Sequence, residues 1–162
     1  MKKLLYLSEI SLPNTSAQAI QILKMCDEFS NKYEVHLLIN NNKQSFKSIK
    51  KNYNLNSNFF IRDLSNNRHI NFFKRLRLAV KALNYFRKLG DKKAVIFSRS
   101  FISSMVFSFF GIKNFLEIHH QNSGLTNIIF RIFRFSKYYN KQYYVLIHKN
   151  LNNHFKFEKK KF

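Results

Sequence analysis

Three observations predict an α/β domain built on a mostly parallel sheet of about six strands. Six short apolar runs with β character recur along the 162 residues. Helix-like stretches separate them, as β-α-β crossovers require. The runs are continuously apolar rather than alternating, the pattern of strands covered on both faces, so the fold class is a three-layer α/β domain. The length suits one hydrophobic core and is short for two. An apolar share of 45% and an aromatic share of 17% argue for folding in spite of a formal net charge of +21. Gly 3 and Pro 1 exclude collagen-like and Pro/Gly-rich classes, and a lone cysteine, Cys26, excludes a disulfide framework. A reducing, cytoplasmic compartment is expected. Residues 1–155 read as one domain and 156–162 as a basic tail or truncated linker.

The elements follow in order. Residues 3–8 form the first strand. Lys2 and Lys3 before Leu4-Leu5-Tyr6-Leu7 imitate a signal peptide, but Ser8 and Glu9 interrupt the apolar run too soon for cleavage and export. Residues 17–29 predict a helix with Gln18, Gln21, Lys24 and Glu28 on a polar stripe and Ile20, Leu23 and Cys26 on the apolar side. Thr15 and Gln18 have capping-box spacing at its start. Strands follow at 33–40, 59–63, 94–98, 114–119 and 142–148. Residues 41–58, rich in Asn, Lys and Ser, predict a short helix and a solvated loop, and 65–69 another loop. The most apolar stretch, 101–112, is too short for a membrane span and predicts a buried helix.

In 70–89 a single helix would place Phe72, Leu76, Ala79, Leu83 and Phe86 on one face. Lys74, Arg77, Lys81 and Lys88 then lie opposite. Residues 128–139 repeat the mixture with Arg131, Arg134 and Lys137. Such helices suit an anionic membrane surface, at about 1 kcal/mol per cation, and equally suit a solvated face over the domain's own sheet. The lysine excess attracts any polyanion, yet no RRM-type, zinc-finger or KH-type signature organises it, so no specific nucleic-acid partner is expected.

In an open parallel sheet, ligands bind beyond the carboxyl ends of the strands. The polar residues there are Ser11 to Ser16, Ser98-Arg99-Ser100, His119-His120-Gln121-Asn122 and His148-Lys149-Asn150. Arg99 suits a phosphate or an acceptor hydroxyl, or a structural salt bridge to Glu117 on the adjacent strand. By its residues alone the histidine pair reads as a surface pair without ligand or a coincidental metal pair. No G-x-G-x-x-G, P-loop, G-x-S-x-G or C-x-x-C is present, so nicotinamide, NTP, serine-hydrolase and thioredoxin chemistries lack their residues. Cys26, inside the first helix, reads as an inert packed side chain.

The segments LLYLSEISLPNTSAQAIQILKMCDEFS, YEVHLLIN, IFSRS, FLEIHH and YYVLIHKNLNNHF stand in one order. In that order the chain resembles the amino-terminal, acceptor-side domain of family 4 glycosyltransferases, a Rossmann-like half of the two-domain GT-B architecture. The resemblance covers nearly the whole chain. It implies a retaining transferase that moves a sugar from a nucleotide-diphosphate donor to an acceptor hydroxyl, in cell-envelope or lipid-linked glycan synthesis. His119 corresponds to the family's active-site histidine, which contacts the transferring sugar, and His120 to the more variable next position. Asn14, Thr15 and Ser16 stand where many relatives carry Gly-Gly beside the donor diphosphate. Arg99 and Ser100 complete the expected substrate contacts.

The resemblance implies no cofactor or metal beyond the nucleotide-diphosphate sugar as co-substrate. Its implied partners are a sugar acceptor, lipid-linked in many relatives, a separately supplied donor-binding domain, and the inner face of a membrane. Alone, the half-molecule is expected to be inactive. The alternative is a non-catalytic basic α/β module that binds anionic membrane or nucleic acid.

Overall fold

Each apolar run becomes a strand, and each intervening amphipathic stretch a helix laid back across the sheet. In the structure, a computed structural model that describes residues 1–65, 71–119, 124–148 and 151, the chain begins with β1 (Lys2–Leu7), β2 (Ser11–Leu12) and α1 (Ala17–Phe29). It continues through β3 (Tyr33–Ile39), β4 (Asn41–Asn42), α2 (Phe46–Asn52), β5 (Phe60–Asp63) and α3 (Phe72–Leu89). Then come β6 (Val95–Ser98), α4 (Phe101–Phe109), β7 (Asn114–Ile118), α5 (Gly124–Arg134), a 3-10 turn over Lys137–Lys141, and β8 (Gln142–Leu146).

Six strands form one parallel sheet in the order β5-β3-β1-β6-β7-β8. Numbering only these six along the chain gives 3-2-1-4-5-6, the doubly wound, Rossmann-like order, whose direction of winding reverses between β1 and β6. The two faces explain the continuous apolar runs. Leu4, Tyr6, Val35, Leu37 and Ile39 pack against Ala19, Ile22, Leu23 and Cys26 of α1. Their neighbours Leu5, Leu7, Leu38 and Ile96 pack on the other face against Leu78, Ala82, Leu83 and Phe107. Beyond them Leu116 and Ile118 meet Phe101, Ile102, Met105, Phe130 and Phe133. Successive side chains point to opposite faces, and both faces are buried at the central strands β1 and β3, whereas Phe115 of β7, Val145 of β8 and Phe60 of β5 are exposed.

Four local expectations need correction. Ser16, not Thr15, caps α1: its Oγ accepts from the Ala19 N–H at 3.2 Å, while Asn14 Oδ1 accepts from the Ser16 N–H at 2.8 Å. An Asx turn thus supplies the first hydrogen bond and the helix starts one residue later than the Thr15–Gln18 box implies. Ile20 points to solvent, and Ile22 and Ala19 take the buried positions instead. On α3 the core side is Leu78, Ala79, Ala82 and Leu83, and Leu76 turns outward beside Phe73 and Val80. The helix expected over 128–139 breaks: α5 ends at Arg134, and the Ser136 N–H bonds to the Phe133 carbonyl before the separate 3-10 turn.

The paired dipeptides β2 and β4 are not foreshadowed by any apolar run. They strap the chain beyond β1 to the chain beyond β3, through the Asn40 N–H to Ile10 carbonyl bond at 2.9 Å and the Lys43 N–H to Leu12 carbonyl bond at 3.1 Å. The loop that carries Asn14, Thr15 and Ser16 therefore leaves from a fixed strand end. The segment 152–162, with its expected basic tail, lies outside the described residues, as do residues 66–69 of the expected loop.

Candidate functional site

The carboxyl ends of β1, β6 and β7 lie side by side, and three groups of polar side chains gather beyond them. The largest is centred on Glu117. In the ladder Leu7, Ser98 and Leu116 share one level, so Arg99 and Glu117 are each one residue further on adjacent strands and share a face. Arg99 grips Glu117 bidentately, with Nε to Oε2 at 2.7 Å and Nη2 to Oε1 at 2.9 Å. The Tyr6 hydroxyl donates to Oε2 at 2.9 Å. His119, two residues beyond Glu117 on the same face, brings Nε2 to 2.7 Å from Oε1, although off the direction of an aligned N–H bond.

This cluster is dry at its base and open at its end. The side chains of Arg99 and Glu117 are 3% and 4% exposed, and that of His119 is 21% exposed. Burial pushes the Glu117 carboxyl up, but the hydrogen bonds and charge of Arg99, with Tyr6 and His119, outweigh it and hold the group below its ordinary value. Burial pushes the Tyr6 phenol well up, so it stays a neutral donor. The salt bridge to Glu117 is the role of Arg99 that the geometry displays. Its positive charge is spent on Glu117, and its Nη1 is buried without a partner among the described residues.

The second group lies toward α3. Ser100 caps α4 by accepting from the Ser103 N–H at 3.2 Å, and its Oγ donates to Glu9 Oε1 at 2.6 Å. Arg75 of α3 pairs with the other oxygen of Glu9 at 3.0 Å. The third group is the loop before α1. Tyr53, at the end of α2, both accepts from the Asn14 N–H at 3.0 Å and donates to the Asn14 carbonyl at 2.9 Å. Asn14 is half-buried by this clamp, while Thr15 and Ser16 are exposed.

The structure thus joins Arg99 and His119 through Glu117, fixes Ser100 to Glu9, and ties Asn14 to Ser16 and Tyr53. His120, with Gln121 and Asn122, lies outside the described residues, as do Lys149 and Asn150. Of the basic residues on α3, Arg77 and Lys88 are exposed and Lys74 is half-buried. Lys81 is exposed but its ammonium donates to the Leu64 carbonyl at 2.6 Å. Tyr6, Glu9 and Tyr53 do not stand out as site residues in the sequence, and Glu117 stands out only as a salt-bridge partner for Arg99. The spacing of Glu117 and His119, two apart at a strand end, carried the signal that they share a face.

Cys26 is fully buried in α1 and its thiol is pushed well up by burial, so it packs rather than reacts. Among the described residues no three His, Cys, Asp or Glu side chains converge as metal ligands, and no helix is long and apolar enough to cross a membrane. No family model, curated protein or solved structure matches the chain.

Proposed function

We propose that this chain is the acceptor-side half of a retaining glycosyltransferase, completed by a donor-binding domain that holds a nucleotide-diphosphate sugar. The observation that carries the reading is His119, held against a buried carboxylate at the carboxyl end of β7, one strand from the point where the winding of the sheet reverses. In the reading His119 contacts the transferring sugar, and Asn14, Thr15 and Ser16 face the donor from the start of α1. His120 completes the proposed substrate contacts, while Arg99 and Ser100, whose side chains are buried, support the site through Glu117 and Glu9. No metal is required. Transition-state charge on the departing diphosphate would be stabilised by the second domain, so the half-molecule alone would turn over poorly.

The test is transfer of labelled sugar to a lipid-linked or soluble acceptor with a donor-binding domain supplied in trans. His119→Ala should remove most of the activity. Full activity in that variant defeats the proposal.

A specific surface favours a second reading, a module that docks on anionic membrane at the inner face of the bilayer. Leu125, Ile128 and Ile132 of α5 and the following Phe135 are 54%, 56%, 67% and 92% exposed, at the 3-4-3 spacing of one helical stripe. Arg131, Arg134 and Lys137 lie among them. On α3, exposed Phe73, Leu76 and Val80 alternate with Lys74, Arg77 and Lys81. Apolar stripes among cations are what a headgroup layer accepts. The two readings are compatible, since a docked half-enzyme would meet a lipid-linked acceptor at the surface.

A further inference from the structure

Glu117 accepts three hydrogen bonds and has a fourth polar atom against it. Oε2 receives the Tyr6 hydroxyl and Arg99 Nε, and Oε1 receives Arg99 Nη2 and faces His119 Nε2. Rotating the carboxylate away from His119 would break the bidentate pairing of a guanidinium that is almost completely buried. The carboxylate is therefore a fixed object, and the imidazole has to adapt to it. An unprotonated ring nitrogen 2.7 Å from a carboxylate oxygen would set two lone pairs against each other. A proton at Nε2 turns that repulsion into attraction even where the N–H is not in line.

We propose that Glu117 is a positioning residue that holds His119 as its Nε2–H tautomer, leaving Nδ1 as an acceptor for the hydroxyl of a neutral ligand rather than a donor to an oxyanion. Two further observations fit. Nε2 is shut off from solvent while a fifth of the side chain is exposed, so the open part of the ring is the part away from Glu117. The Arg99 and Glu117 charges cancel within one contact, so the cluster brings no net positive charge to hold a phosphate. The tautomer assignment is independent of the sugar-transfer reading, whereas the identity of the ligand hydroxyl rests on it.

The experiment is long-range proton–nitrogen NMR on the full chain with 15N-labelled histidine at neutral pH. There are six histidines, and His119 is assigned by the signal lost in His119→Gln. One tautomer is expected, with the proton on Nε2 and Nδ1 resonating as an unprotonated nitrogen. A proton on Nδ1, or a mixture in the wild type, overturns the proposal. Glu117→Gln should convert the single form to a mixture while the His36 signals stay in place, and an unchanged single form denies Glu117 the role. Should that variant not fold, Arg99→Met combined with Glu117→Gln removes the buried cation as well and carries the same expectation.

Methyl glucoside should then shift the His119 signals of the wild type, and inorganic phosphate at equal ionic strength should not. The reverse result overturns the hydroxyl assignment. If neither probe moves the signals, the hydroxyl assignment falls and the tautomer result stands alone, while the transfer reading is decided separately by the assay with the donor-binding domain and His119→Ala.

Discussion

At the scale of single residues, the decisive question is what a buried charge has for company. Arg99 and Glu117 face each other in the dry base of the site, so truncating either leaves the other uncompensated, at a cost of about 3–5 kcal/mol. Arg99→Ala should therefore lower the denaturation midpoint strongly, and Tyr6→Phe, which removes one donor to the carboxylate, by about 1.5–3 kcal/mol. Chemical denaturation with both variants checks the ranking, and an Arg99→Ala variant as stable as the wild type refutes it. This pair was legible beforehand because both residues lie at the ends of adjacent strands.

Asp27 was not. It sits at the end of α1 and accepts from the N–H groups of Asn56 and Ser57, 29 and 30 residues away, a closure that no periodicity reveals. Burial pushes its carboxyl up, but the Asn56 and Ser57 N–H groups, the Ser57 hydroxyl and the charge of Lys24 outweigh burial and lower it. A carboxyl lowered in the folded state contributes stability that is fully present above the unfolded value, near pH 4, and is lost as pH falls through the folded value. Asp27→Asn should thus be less stable than wild type at neutral pH. The difference between the two should shrink on acidification below about pH 4. Denaturant midpoints at a series of pH values test this, and a gap that widens on acidification reverses the sign.

At the scale of elements, the helix ends carry the argument. The Ser16 hydroxyl is the cap of α1 and the Thr15 hydroxyl is not. Ser16→Ala should cost about 1 kcal/mol and Thr15→Ala much less, and equal losses on thermal unfolding would restore Thr15 as the cap. Both readings satisfy the sequence, because Asn-Thr-Ser offers three good cap residues in a row and only the Asx turn at Asn14 selects among them. At the other end of α3, Gly90 takes φ of +66° and its N–H reaches the Arg87 carbonyl. This is the left-handed stop that a glycine after a periodic run announces.

The break between α5 and the 3-10 turn was hidden for the opposite reason. Phe and Tyr continue through 133–139 without a Gly or Pro, and tertiary contacts decide the matter: Phe133 packs on Phe109 and Tyr139. Propensity supplied no stop signal, and packing imposed one.

At the scale of the whole molecule, strand identity was readable, but beyond the one adjacency that pairs Arg99 with Glu117 the strand order was not. Each of the six strands of the main sheet announces itself by an apolar run, whereas the order β5-β3-β1-β6-β7-β8 depends on which way each crossover turns. What the order does is bring the ends of β1, β6 and β7 together. It also lays α3 and α5, which both pack with α4, over one face of the sheet, with apolar stripes turned outward. The charge of +21 gives those stripes a long-range attraction for an anionic surface.

Binding to vesicles containing phosphatidylserine should therefore be measurable at low salt and weaken steeply as ionic strength rises past about 0.15 M, where charges further apart than about 8 Å are screened. Apolar insertion and charge attraction separate in the variants. Ile128→Gln with Ile132→Gln should weaken binding at every salt concentration, since both side chains are more than half exposed and leave the core untouched. Arg77→Gln with Lys88→Gln should flatten the salt dependence instead. His119→Ala should leave vesicle binding unchanged, because the ring lies in the polar cluster at the end of β7 and not on either stripe. Cosedimentation across a salt series distinguishes these outcomes. Binding that ignores the α5 pair yet follows total charge, and that transfers equally well to oligonucleotides, would mean that the surface is a general polyanion attractor and that the stripes have no part in docking.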